Sequence, residues 1–163
     1  VAGAVDDIGR ALCAPNRAFA LSVSAQCNAE RPELAVDRSL VEEVAENLVG
    51  NAARFAAAHV EARMDVRDGF LVLTVEDDGP GIPEEHREKI FEPFYRVDKS
   101  RSRAMGGAGL GLPMTRAILE RHGGTIWLEE RPGGGCCFCA ALPTGKWDGC
   151  PGSAGEPRTK GVV

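Results

Sequence analysis

The chain has 163 residues, a net charge of −5 and 44% hydrophobic residues. That length fits one domain, with enough apolar content to bury a core. The acidic balance leaves no basic footprint for nucleic acid, and no apolar run reaches the length of a membrane span. Val1 to Arg10 carries acids and lacks the long apolar run of a signal peptide. The chain starts at Val1 rather than Met and is expected to be a piece of something longer.

Val1 to Leu12 reads as a short helix, with Val5, Ile8 and Leu12 on one face and Pro15-Asn16 stopping it. Ala18 to Ala25 alternates well enough for a strand. Arg31-Pro32 is a turn, and Leu34 to Val36 is a short strand candidate. Asp37 is placed to N-cap the next element. Asp37 to Ala57 is the best helix in the chain. At about 100° per residue, Val41, Ala45, Leu48, Ala52 and Phe55 share one axis and form its core stripe. Glu43, Asn47, Asn51 and Arg54 form a second stripe, spaced four, four and three. Asparagine is a mediocre helix former, so two stacked beside an apolar stripe call for a reason. A solvated flank accounts for them equally well at this point.

Val60 to Val66 and Phe70 to Val75 read as a hairpin around Arg67-Asp68-Gly69. The second strand runs into Val75-Glu-Asp-Asp-Gly-Pro-Gly-Ile82. Strand alternation puts Leu71, Leu73, Val75 and Asp77 on one face, so Asp77 aims at the buried side and Asp78 away from it. A buried carboxylate is costly unless something donates to it. An amide of the following turn would be one such donor. Asp78 is expected to be a solvated or turn-capping neighbour.

Pro83 to Phe91 reads as a short helix with Glu84 and Glu85 in its first turn, broken by Glu92-Pro93-Phe94-Tyr95. Arg96 to Ala108 is basic and without periodicity, and reads as a mobile loop ending in Gly106-Gly-Ala-Gly-Leu-Gly111. Gly111 to His122 is a helix with Leu112, Ile118 and Leu119 apolar, ended by Gly123-Gly124. Thr125 to Glu130 and Cys136 to Leu142 pair as a hairpin across Pro132-Gly-Gly-Gly135. Residues 144–163 are rich in Gly, Pro, Ser and charge, and are expected to be a disordered tail or an expression remnant. Six cysteines (Cys13, Cys27, Cys136, Cys137, Cys139 and Cys150) lack a nearby His that would complete a zinc pattern. They read as small buried hydrophobes in a reduced compartment, with Cys136 and Cys137 pointing to opposite sheet faces.

Three features then stand in order: an Asn stripe on a helix, a strand-end Asp with Gly-x-Gly, and a basic loop closing in glycines at a helix start. Helix-start amides after glycines favour phosphate, and a basic loop adds cations. Paired side-chain amides are hard oxygen donors that suit Mg²⁺. A strand-end carboxylate can accept from an exocyclic amine such as that of adenine. Together they describe an adenine nucleotide across a sheet–helix layer under a lid.

Four motifs resemble those of the catalytic, ATP-binding domain of two-component sensor histidine kinases. That domain belongs to the wider Bergerat-fold (GHKL) family with gyrase, Hsp90 and MutL. The motifs are Asn47-Leu-Val-Gly-Asn51-Ala (N box), Asp77-Asp-Gly79-Pro-Gly81 (G1 box), Phe91-Glu-Pro-Phe94 (F box) and Gly107-Ala-Gly109-Leu-Gly111-Leu112 (G2 box). The similarity runs from about Leu34 to Pro143. It implies a two-layer α/β sandwich, with a mixed sheet of about five strands covered on one face by three helices. The catalytic domain would span 1–143, and residues 1–16 would end an inter-domain linker helix.

The resemblance also implies roles. Asp77 would accept from the adenine amine, with Gly79, Gly81 and Ile82 around the base and lid. Asn51 would ligate Mg²⁺, with Asn47 as ligand or second partner. Arg54 would reach the phosphates and Phe55 would pack on the base. Arg96 and Lys99 would meet the γ-phosphate. Gly107, Gly109, Leu110, Gly111 and Leu112 would line the phosphate side. Phe91 and Phe94 would dock the lid, or simply pack in the core.

In the ATP-hydrolysing relatives a Glu stands four residues before the magnesium Asn. Here that position is Asn47, which is not a base, so transfer is expected rather than hydrolysis. None of His59, His86 and His122 stands in an acceptor context. The implied partner is a separate dimerisation and histidine phosphotransfer domain, with a response regulator downstream. This chain is expected to be monomeric and cytoplasmic, in a full-length homodimer that is an inner-membrane sensor. An ATPase of the Hsp90 or MutL sort, a serine kinase of the anti-sigma type, and a non-catalytic interaction module are the rival readings.

Overall fold

The computed structural model describes residues 20–27 (backbone only), 36–97 and 109–145. The helix read at Val1–Leu12, the loop from Asp98 to Ala108 with Lys99 and Gly107, and the tail from Lys146 on lie outside the described residues. So does most of the strand candidate at Leu34–Val36, of which only Val36 is described, and it is not in a strand.

Five strands form one mixed sheet: β1 (Ala20–Cys27), β2 (His59–Arg67), β3 (Phe70–Asp77), β4 (Thr125–Glu130) and β5 (Cys136–Pro143). Their order across the sheet is β1-β2-β3-β5-β4. β1 runs parallel to β2, and the other neighbours are antiparallel. A parallel pair needs a crossover, which α1 (Arg38–Phe55) supplies. α2 (Gly111–Arg121) precedes the β4–β5 hairpin, and both helices pack on the same sheet face.

Asp37 caps α1 as expected: its side chain accepts from the Ser39 amide at 2.9 Å. Val41, Ala45, Leu48 and Ala52 are buried, joined by Leu40, Val44 and Val49. They meet Leu71, Leu73 and Val75 of β3 and Phe138 of β5 in the main core. Each such Val, Leu or Phe contributes about 1.5–3 kcal/mol by leaving water. Phe55, expected in this stripe, is 44% exposed. It is the last helical residue; the Ala56 amide closes the final turn on the Ala52 carbonyl, and the chain then turns into β2.

The β2–β3 hairpin turns through Asp68 and Gly69, both at positive φ (53° and 78°), the mirror-image turn that matches strand twist. Thr144, just past β5, still belongs to the fold: its amide and hydroxyl both donate to the Gly69 carbonyl. Pro83–Phe91 is not one short helix. It forms two 3₁₀ turns, Glu84–His86 and Lys89–Phe91. Only Ile90 in them is buried, too little apolar surface to hold a continuous α-turn in place. Arg87, between the turns, is held instead by the Ile82 carbonyl and by Glu130 at 3.1 Å.

Leu48 is fully buried, and Leu48→Ala should lower unfolding free energy by about 2–5 kcal/mol in urea titrations. Phe55→Ala should cost well under half as much, because its ring is already half in solvent.

Candidate functional site

The site is built around the end of β3. The pleat carries Leu71, Leu73, Val75 and Asp77 towards the helices, as read from alternation, and Asp77 is only 2% exposed. Its carboxylate accepts from the Gly79 amide at 2.9 Å and is also held by the Cys136 amide of β5. Burial pushes its pKa above the ordinary value. The Gly79 and Cys136 amides pull it back, the Asp78 charge raises it, and Arg131 lowers it.

Asp78 points the other way and is not simply solvated. Its Oδ1 accepts from three successive amides, Ala57 (2.8 Å), Ala58 (3.0 Å) and His59 (3.0 Å). The Asp78 amide donates back to the His59 carbonyl at 3.3 Å. These amides lower its pKa from 3.8 to about 2, those of Ala58 and His59 most strongly. Asp78 therefore ties the link between α1 and β2 to the end of β3. It caps this link rather than its own turn, a contact that local spacing does not signal.

The glycines are fixed by close approach. A Cβ on Gly79 would lie 2.3 Å from the Phe55 carbonyl and 2.8 Å from Asp77 Oδ1, so only glycine lets β3 pass the end of α1. Gly135, at φ +94, meets the Asp77 carbonyl oxygen so closely that a Cβ would stand 1.9 Å from it. The sequence marks the Gly133–Gly135 run only as a hairpin turn. In the structure its last residue abuts Asp77 and, through its carbonyl, approaches Gly81.

Asn47 and Asn51 are half-buried on successive turns of α1, and neither side chain has a hydrogen bond among the described residues. Arg54 and Phe55 follow them to the exposed end of the helix. α1 packs against both β3 and α2. The Asn-bearing helix therefore lies against both the Asp77 strand and the helix that begins at Gly111. Ile82 and Leu112 pack partly against the core. Leu110 stands at the N-cap of α2 without a side-chain capping bond, and Gly111 is exposed. Thr115, unread in the sequence, is wholly buried and returns its hydroxyl to the Gly111 carbonyl at 2.9 Å, which shapes this first turn.

The two ends of the 98–108 segment are pinned together. The Phe94 amide donates to the Gly109 carbonyl at 3.1 Å. Phe94 adopts φ +64, uncommon for a non-glycine residue, and its ring is 71% exposed rather than packed in the core. Phe91 instead packs on the core, beneath the Arg116 guanidinium, which lies 5.7 Å from its ring centroid. Tyr95 is tied to His86 by a short hydrogen bond that the sequence did not signal. Arg96 is half-buried at the edge of the described segment.

A carboxylate sunk at a strand end, half-buried amides on a helix and an uncapped helix start make a layered polar site. The sequence pattern of the histidine kinase-, DNA gyrase B- and HSP90-like ATPases matches residues 36–146. The chain belongs to this family. It is 38% identical over 112 residues to the sensor histidine kinase WalK of Bacillus subtilis, covering 66% of this chain and 18% of that protein. It is 43% identical over 117 residues to the sensor protein RstB of Escherichia coli, covering 72% of this chain and 27% of that protein. The chain thus spans about a fifth to a quarter of these curated relatives. Among solved structures, the catalytic domain of the histidine kinase ThkA aligns with a TM-score of 0.70 at 28% identity, covering 87% of this chain and 91% of that one. Full-length ShkA, solved with AMPPNP, aligns at 0.72 and 25% identity, covering 91% and 31%.

Asp78 gives this site an acid-sensitive tie. Its folded pKa of about 2 lies below the ordinary 3.8. Its contribution is therefore complete above about pH 4 and lost as pH falls through about 2. Asp78→Asn should lower the melting temperature at pH 7 and flatten the fall in stability between pH 4 and 2. Thermal unfolding across that range checks it; an unchanged acid limb would remove Asp78 from this role.

Proposed function

We propose that this chain is the ATP-binding catalytic domain of a sensor histidine kinase. It would bind Mg-ATP and transfer the γ-phosphate to a histidine on a separate dimerisation domain, with a response regulator downstream. Residues 1–143 would form the domain, working on the cytoplasmic side of a membrane sensor. Among the described residues no helix is long and apolar enough to cross a membrane.

The observation that carries the reading is Asp77. It is a buried carboxylate at a strand end, held by two amides yet still raised in pKa by burial. A buried charge of this kind gains from one more donor, and an adenine amine is such a donor. Asn47 and Asn51 fit a hard cation: both are neutral oxygen donors, one turn apart and unengaged by described neighbours. Bound Mg²⁺ would neutralise phosphate charge during transfer.

In this reading Gly79, Gly81 and Ile82 shape the base pocket, and Phe55 offers an exposed ring to the base. Arg54 reaches the phosphates. Gly107, Gly109, Leu110, Gly111 and Leu112 present the backbone to them. Arg96 and Lys99 supply cations to the γ-phosphate. Asn47 orients rather than deprotonates, which favours transfer over hydrolysis. Two of the chain's three histidines support an acceptor elsewhere: His86 is engaged by Tyr95, and His122 Nδ1 is bonded to the Ile118 carbonyl at 2.8 Å.

Asn51→Ala should abolish Mg-ATP-dependent labelling of the dimerisation domain in trans. Asp77→Asn should weaken nucleotide affinity about ten- to a hundredfold, the worth of a hydrogen bond to a charged group. Radiolabel transfer and calorimetry read the two. Transfer that survives Asn51→Ala, or sustained ADP release by the chain alone, would overturn the proposal.

A further inference from the structure

On the sheet face away from the helices, three metal-ligating groups converge. Along β5, Cys136 and Phe138 face the helix core, while Cys137 and Cys139 face the opposite way. Cys136 and Cys139 stand in C-x-x-C spacing, but the pleat divides them between faces; the pair that meets is Cys137-Phe-Cys139. Glu129 of β4 lies directly across from Cys137. One ligand atom from each of Glu129, Cys137 and Cys139 lies within 4.8 Å of the other two.

The sulfur separation excludes a disulfide and suits metal capture. The two Sγ atoms are 3.9 Å apart. That is nearly twice a disulfide bond of about 2.05 Å. It is close to the edge of a tetrahedron built on metal–thiolate bonds of about 2.3 Å, whose sulfurs stand about 3.8 Å apart. Simple core packing would be served by Ala or Val at both positions. Instead the thiols keep polar company at sulfur distances, Cys137 with Glu76 at 3.9 Å and Cys139 with Thr74 at 4.0 Å. Glu129 is itself oriented, because its Oε1 accepts from Trp127 Nε1 at 2.9 Å. It remains exposed, so a cation has a carboxylate to meet first.

We propose that Cys137, Cys139 and Glu129 form a binding site for a thiophilic cation of the Zn²⁺ class, on the sheet face opposite the helices. Two sulfurs and one oxygen supply three positions, and water completes the fourth. Capture releases the two thiol protons to solvent, leaving two thiolates on the metal. The site is independent of the kinase reading, because none of its ligands belongs to the layer around Asp77.

Co²⁺ titration of the reduced, metal-stripped chain tests it. One Co²⁺ per chain should give sulfur-to-metal charge-transfer absorption and the visible bands of a tetrahedral ion, and Zn²⁺ should displace it. C137S/C139S should abolish the charge-transfer band, and E129Q should keep it while weakening affinity about tenfold or more. A wild-type chain without the band overturns the site. A band that survives in C137S/C139S assigns the metal to other cysteines and overturns it too. If the double variant does not fold, E129Q decides, since Glu129 is exposed; unchanged affinity there is a contradiction.

Discussion

The structure turns on two adjacent carboxylates that point in opposite directions. Asp77 goes into the core and Asp78 goes to the amides that follow α1. Because strand residues alternate, one strand end does both jobs. Asp78 fixes where α1 stops relative to β3. Gly79 then passes the Phe55 carbonyl at a distance no side chain would permit. Gly135 closes the same corner from the turn before β5. The depth of Asp77, and the amides it can use, follow from this corner.

Phe94 and Gly109 obey a similar constraint. Phe94 and Gly109 are joined by a backbone hydrogen bond, so the intervening chain leaves and returns at one point. Thr115 and the Gly111 carbonyl hold the first turn of α2 next to it. Around the site, backbone positions are fixed by backbone contacts, by the Asp78 carboxylate and by the Thr115 hydroxyl. The side chains proposed to act, Asn47 and Asn51, have no hydrogen bond among the described residues.

Much of this was legible in the sequence because it rests on periodicity. The buried stripe of α1, the hairpin at Asp68-Gly69, and the inward aim of Asp77 all follow from counting residues. What escaped was set by tertiary contact. Phe55 leaves the core because the helix ends on it. Pro83–Phe91 breaks into two turns because one buried Ile90 cannot hold a longer helix. Asp78 meets amides about twenty residues away, and Gly135 meets Asp77 across the sheet; neither has a local signal. The cysteines of β5 were read as core fillers. That Cys137 lies between Glu129 and Glu76 becomes visible only once strand register is known.

The central claim is that the buried face of the β3 end reads an adenine base while α1 holds the metal. A crystal structure with Mg²⁺ and a non-hydrolysable ATP analogue tests it most directly. The account predicts the exocyclic amine within hydrogen-bond reach of Asp77, and Asn51 on the metal. A base bound elsewhere, with Asp77 still facing only the Gly79 and Cys136 amides, would contradict it.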